Sequence, residues 1–318
     1  MATLLSIRSL TTVFQCRRVQ IEACNNVDLD IDPGQTLGLI GETGCGKSVL
    51  GMSILRLLPA NGISSGKIIY KNRDLLGLSP EEMRTIRGAE ISLLPQNPST
   101  SLNPVLSVGE QLMEGIRLHR GMRKNKAKGA ALSMLRSLGL QGGNNRWDKY
   151  PHQLSGGMKQ RVLAALSITG EPSLLIADEP TKGLDGVGRN RVVALLRRLV
   201  GETKTALLLI THDLKVAANL CDQIAVMYAG EIVENGPVGK VLVSPLHPYT
   251  QGLLASLPEN GLHPIPHYSP GVLGNIQGCR FYPRCQYRRD QCGRQPIVNK
   301  KTNGTIVRCL NVSEGGEN

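Results

Sequence analysis

The chain has 318 residues, long enough for two domains, and its 41% hydrophobic content is that of a globular protein rather than a disordered one. No run approaches the about 18 consecutive apolar residues of a membrane-spanning helix, and residues 1 to 13 alternate apolar with polar where an export signal would be uniformly apolar; a cytoplasmic location is expected. The net charge of +12 admits nucleic acid or anionic lipid as a partner, yet the basic clusters at 120–128 and 280–294 are local, and only Tyr282 and Tyr287 interleave them, so a solvated basic face is the favoured reading.

In chain order, residues 4–10 and 27–31 read as strands, and Pro33-Gly34 turns the chain into a third at 37–40. The glycine-rich run Gly41 to Ser48 follows, then a helix carrying Val49, Leu50, Met52, Ile54, Leu55 and Leu58 that should stop at Pro59. A strand at 66–70 precedes Ser79-Pro80-Glu81-Glu82, which has the cap serine and first-turn proline of a helix start. From about 98 to 170 the pattern is helical, with helices at 108–118 and 127–138, and it has the character of an inserted subdomain. The α/β alternation then resumes: strand 173–177, helix 188–199, strand 206–210, helix 215–220, and a hairpin of 224–228 with 231–234 around Ala229-Gly230. A break near 243 divides a first domain, 1–243, from a proline-rich extension, 244–318, whose sparse regular structure calls for a staple such as a metal.

Three stretches carry chemistry. Gly41-Glu42-Thr43-Gly44-Cys45-Gly46-Lys47-Ser48 fits G-x-x-x-x-G-K-[ST] between a strand and a helix, so its amides would cradle phosphate, Lys47 would reach the β- and γ-phosphates, and Ser48 would hold Mg²⁺. The apolar strand ending in Asp178 and Glu179 offers one carboxylate for Mg²⁺ and one to polarise an attacking water. Ser155, Gly156 and Gly157 open a helix and make a second anion site.

The run Leu154-Ser155-Gly156-Gly157-Met158-Lys159-Gln160-Arg161, between a helical insertion and the acidic strand, resembles the signature of ATP-binding cassette (ABC) proteins. The resemblance covers residues 3 to 240. It implies a P-loop NTPase of the α/β class, with a RecA-like core, an antiparallel β subdomain and a helical signature subdomain, which binds ATP with Mg²⁺. On the matching positions it implies that Gln96 senses Mg²⁺ and water, Asp185 lies at a dimer interface and His212 contacts the γ-phosphate. The catalytic set is then Glu179, His212 and Gln96; the nucleotide set Gly41, Gly44, Cys45, Gly46, Lys47, Ser48, Val49, Asp178, Ser155, Gly156, Gly157 and Asp185; and the Mg²⁺ set Ser48, Gln96 and Asp178. Cys45 stands where the family usually has serine, a place where oxidation would block nucleotide binding.

The extended run from Gln96 to Pro104, Leu246-His247-Pro248-Tyr249-Thr250, and Gly278-Cys279-Arg280-Phe281-Tyr282-Pro283-Arg284-Cys285 resemble one branch, the ATPase subunits of dipeptide, oligopeptide and nickel importers. Met158 is typical of its D-type subunit. Cys279, Cys285, Cys292 and Cys309, separated by five, six and sixteen residues, lack a C-x₂₋₄-C knuckle, and their spacing leaves zinc and iron–sulfur open. The resemblance implies a [4Fe-4S] cluster in a small, irregular, cysteine-rich C-terminal domain. It also implies an ATP-driven importer subunit on the cytoplasmic face of the inner membrane, paired with an F-type ATPase, two permeases and an extracytoplasmic binding protein, with no nucleic acid. The rivals are a soluble ABC ATPase acting on nucleic acid or ribosomes, and a regulatory subunit that binds ATP without turnover.

Overall fold

The computed structural model describes residues 3–17, 19–137, 140, 147–267, 277–295 and 297–312. Two compact units share the chain: Met1–Gly77 with Leu209–Asn318 in one, Leu78–Leu208 in the other.

The first unit opens with β1 (Leu5–Cys16) and β2 (Val19–Ile31), an antiparallel pair that runs well beyond the apolar stretches expected as strands. Polar residues continue the pairing because the fold satisfies them: Thr12, fully buried, shares hydrogen bonds of 3.0 and 2.8 Å with the hydroxyls of Ser53 and Ser64. In β3 (Thr36–Ile40) every residue is buried, as in a strand covered on both faces. The glycine-rich loop leads from it into α1 (Lys47–Leu55). That helix ends before Leu58 because Arg56 takes a left-handed conformation (φ 51°) and the Leu57 N–H closes on the Met52 carbonyl at 2.9 Å. With β4 (Gly62–Tyr70) and β5 (Arg73–Asp74) a four-stranded antiparallel sheet is complete in the order β2-β1-β4-β5.

The second unit begins with α2 (Pro80–Ile86), started by the expected cap: Ser79 Oγ accepts from the Glu82 N–H and the Glu82 carboxylate accepts from the Ser79 N–H. After β6 (Ile91–Leu94) come α3 (Pro98–Ser101), α4 (Val108–Arg120), α5 (Lys124–Ser137) and α6 (Gly156–Ser167). Leu138, the expected end of the second inserted helix, lies outside the described residues. The basic run at 120–128 is partly structural, since Arg120 donates from Nε to the Thr169 carbonyl and pairs with Glu171 at 2.8 Å. Next follow β7 (Leu174–Asp178), parallel to β6, and α7 (Gly186–Thr203); β8 (Ala206–Thr211) crosses the division between the units.

The first unit resumes with α8 (Leu214–Leu220), β9 (Gln223–Tyr228) and β10 (Glu231–Pro237). The hairpin turns where expected, with φ of 46° at Ala229 and 89° at Gly230, the two positive values of a tight primed turn. Beyond it the C-terminal residues are more regular, and less separate, than a small irregular domain. They form α9 (Val238–Val243), α10 (Pro248–Ala255), α11 (Asp290–Arg294), β11 (Lys300–Thr302) and β12 (Thr305–Val307). Through β12 pairing with β10 and β9 with β3, they extend the sheet as β11-β12-β10-β9-β3. Tyr249 and Phe281 are buried in one core with Tyr228, Val226, Val233 and Val241, the three rings at 4.5 to 5.5 Å from one another.

Candidate functional site

In the first unit the glycine-rich loop wraps the start of α1. Gly46 caps the helix at φ 109°, and Gly41 has φ 154° at the end of β3. Lys47, 6% exposed, folds back so that Nζ donates to the Gly41 carbonyl at 2.8 Å and the Glu42 carbonyl at 2.9 Å. Ser48 is exposed on the first turn and Val49 half-buried behind it, while Thr43 and Gly44 face solvent. Amides at a helix start beside a lysine are suited to polyphosphate. Cys45, where oxidation would block nucleotide binding, is a buried thiol. It is 3% exposed, and burial pushes its thiol up despite Lys47 Nζ 3.7 Å from the sulfur, so it is no activated thiolate. His212 is exposed just beyond β8, ahead of Asp213, which caps α8 by accepting from the Lys215 and Val216 N–H groups.

In the second unit the register of β6 with β7 pairs Leu94 with Ala177, so Gln96 and the carboxylates of Asp178 and Glu179 leave neighbouring strands at the same end. Glu179 has φ 48°, an uncommon backbone for a non-glycine residue and a strain that clusters at functional sites. Ser155 caps α6, its Oγ accepting from the Met158 N–H, and nothing lies within 4 Å of where a Cβ would stand on Gly156 or Gly157. Asp185 caps α7, accepting from the Gly188 N–H at 2.7 Å. The expected site residues thus fall into two sets, Gly41 to Val49 with His212 in one unit, and Gln96, Ser155 to Gly157, Asp178, Glu179 and Asp185 in the other.

The four C-terminal cysteines line one small, tightly filled recess, together with Phe281, Ile297 and Leu310. The Cys279 N–H donates to the Cys292 carbonyl at 2.7 Å, and turns join Cys279 to Tyr282 and Tyr282 to Cys285. All four are free thiols, and burial raises Cys279 to about 12, with nearby Cys309 and Cys285 adding to the rise. Among the described residues no group of three or more His, Cys, Asp or Glu side chains is placed to hold a metal ion. His247, at the wall of the recess, is neutral: burial pushes it down to about 3, and its Nδ1 accepts from the Tyr249 N–H to cap α10.

The basic cluster at 280–294 is not simply a solvated face. Arg288, Arg289 and Arg294 are exposed, but Arg280 and Arg284 are buried. Arg280 pairs with Glu22 and Glu231 and donates to the Ala229 carbonyl; Arg284 pairs with Glu42 in the glycine-rich loop. Sequence reasoning missed the contacts of Glu42, within the loop, with Tyr249 and Arg284. The only available signal was a carboxylate in a phosphate-binding motif, which requires a counter-charge.

Comparison with known proteins gives the family. Residues 24–182 match the ABC transporter family and residues 233–292 the oligopeptide/dipeptide transporter C-terminal region. The chain is 42% identical to a putative peptide import ATP-binding protein of Brucella melitensis, over 91% of each chain. It is 40% identical to the oligopeptide transport ATP-binding protein AppD of Bacillus subtilis, over 99% of each. Among solved structures it is similar to the ATP-binding cassette MJ0796 in a dimeric post-hydrolysis state bound to ADP and phosphate, with a TM-score of 0.66 and 26% identity, covering 74% of this chain and 98% of that one. Among the described residues no helix is long and apolar enough to cross a membrane. A strand, a glycine-rich loop ending in Lys47-Ser48, an acidic strand end and a capped signature helix, matched over this length, make the chain a member of the ABC transporter ATPase family, with the C-terminal region of its oligopeptide/dipeptide branch.

Proposed function

We propose that the chain is the ATP-hydrolysing subunit of a peptide importer. The observation that carries this reading is the loop itself: Lys47 lies along the start of α1 with Nζ on the Gly41 and Glu42 carbonyls, beside amides that can take the β- and γ-phosphates. Ser48, Gln96 and Asp178 would hold Mg²⁺, which offsets phosphate charge. Glu179 would orient the attacking water and accept its proton, and His212 would contact the γ-phosphate. Ser155, Gly156 and Gly157 would face a nucleotide held by a homologous F-type subunit, with Asp185 at the same interface. The peptide-import names of the relatives support peptides over nickel as cargo. Two permeases, an extracytoplasmic binding protein and a peripheral place on the cytoplasmic face of the membrane complete the proposal. Action on nucleic acid is disfavoured, because two of the basic residues that prompted it are spent in buried ion pairs. Peptide uptake in vesicles containing the assembled complex tests the reading. Uptake should require ATP and fall at least about tenfold with Lys47→Ala, whose loss removes a buried charge from the phosphate site; ATP-independent uptake would sink it.

The four cysteines are proposed to carry a [4Fe-4S] cluster. What supports this is the donor set, four cysteines lining one recess, which is the four-thiolate set of such clusters. Zinc, which four thiolates also suit, is the alternative. Such a cluster would tie the C-terminal segment together. Anaerobically purified protein is expected to contain iron and sulfide and to absorb broadly in the visible, and Cys285→Ser should lose both. Stoichiometric zinc with no iron would decide for the alternative.

A further inference from the structure

The glycine-rich loop is tied to the cysteine-bearing segment by contacts that hydrolysis does not itself use. Glu42, second residue of the loop, is held at both its side chain and its backbone. Arg284 donates from Nη1 to one carboxylate oxygen at 2.9 Å and from Nη2 to the other at 3.1 Å, and the Glu42 N–H donates to the Tyr249 hydroxyl at 2.9 Å. The paired grip is the strong form of an arginine–carboxylate contact. Arg284 is itself immobilised: Nε donates to the Pro266 carbonyl at 3.0 Å, the guanidinium lies 5.8 Å from the Tyr228 ring centre, and its side chain is 5% exposed.

A carboxylate in this loop is a liability for a site that must accept a polyphosphate. The Glu42 side chain is 26% exposed, so its charge is only partly screened by water. Its backbone carbonyl also supports Lys47 Nζ, so a displaced Glu42 would disturb the lysine as well. Arg284 answers both problems, cancelling the charge and fixing the residue that carries it.

We infer that Arg284 is a positioning residue for nucleotide binding: by neutralising and holding Glu42 it sets the shape and charge of the phosphate loop, and so makes the C-terminal segment a determinant of ATP affinity. This rests on the nucleotide reading above. Binding of a fluorescent ATP analogue to the full chain, with ATP and ADP as competitors, tests it in Arg284→Gln, Glu42→Gln, the double variant and Lys47→Ala. Arg284→Gln should weaken ATP binding roughly tenfold, the effect of leaving one uncompensated charge near the phosphates. The loss should be smaller for ADP and should shrink at high salt. Glu42→Gln added to it should recover most of the affinity, a result that lost packing cannot produce. In the assembled transporter KM for ATP should rise while kcat changes little. Wild-type affinity in a folded Arg284→Gln protein, or a loss that Glu42→Gln does not recover, overturns the proposal. If Arg284→Gln does not fold, Arg284→Lys keeps the charge without the fork and should bind about threefold more weakly; wild-type affinity there is equally fatal. Undiminished binding in Lys47→Ala would instead remove the nucleotide reading, and this inference with it.

Discussion

Replacing Glu179 by Gln is expected to lower ATP turnover by the assembled transporter by about 10²- to 10³-fold while leaving ATP binding intact, the range for removing a positioned general base. Glutamine keeps the size of glutamate but cannot accept the water's proton at neutral pH. The backbone fixes the residue in place, since Glu179 follows β7 with φ 48°, its carbonyl accepts from the Lys182 N–H at 3.1 Å, and the parallel register places Gln96 at the neighbouring strand end. A left-handed non-glycine residue costs about 1–3 kcal/mol, a strain that persists only where the surroundings enforce it. Phosphate release under saturating ATP, together with retention of bound ATP, separates a chemical defect from a binding defect. Unchanged turnover would mean that this half-site is idle and that the chain is the regulatory subunit instead.

Gly46→Ala should have a large structural effect, at least about 3 kcal/mol of lost stability together with loss of nucleotide binding. Gly46 has φ 109°, and a Cβ there would run far inside contact distance of the Ala23 carbonyl oxygen and to 2.9 Å from the Met227 methyl carbon. The Met227 methyl ends a flexible side chain and can swing aside, but the Ala23 carbonyl belongs to β2 and cannot yield without moving a paired strand. Gly44 is the internal control. Its φ is 84°, but nothing lies within 4 Å of its absent Cβ. Gly44→Ala should therefore cost only the conformational strain of about 1–2 kcal/mol. Urea unfolding of the two variants measures the difference, and equal destabilisation would show that steric contact at Gly46 is not what the glycine serves.

The two glycines show how far a motif can be read without a fold. The pattern specifies Gly46 and leaves Gly44 at an open position, yet both have positive φ; only the strands packed around Gly46 make that glycine nearly irreplaceable. The same division runs through the elements. Buried strands announced themselves, because 37–40 and 206–210 are uninterrupted apolar runs that no exposed segment would carry. The outer parts of β1 and β4 did not, since Thr12 and Ser64 read as loop residues until each is seen to satisfy the other. The strands β11 and β12 have three residues each, too few for a period, and exist because β10 offers an edge to β12.

What the sequence by itself determined was the chemistry held in local spacing. It carries the phosphate loop, the signature helix start and the acidic strand end, because each of these works within about eight consecutive residues and a single helix or strand terminus. What only the tertiary structure decided was which charges are spent and on what. Arg284 and Glu42 stand 242 positions apart, and nothing local in a basic C-terminal cluster distinguishes Arg284, gripping the loop, from Arg288, which is exposed. Burial and pairing are properties of long-range packing, so the link between the cysteine-bearing segment and the phosphate loop exists only in the folded chain.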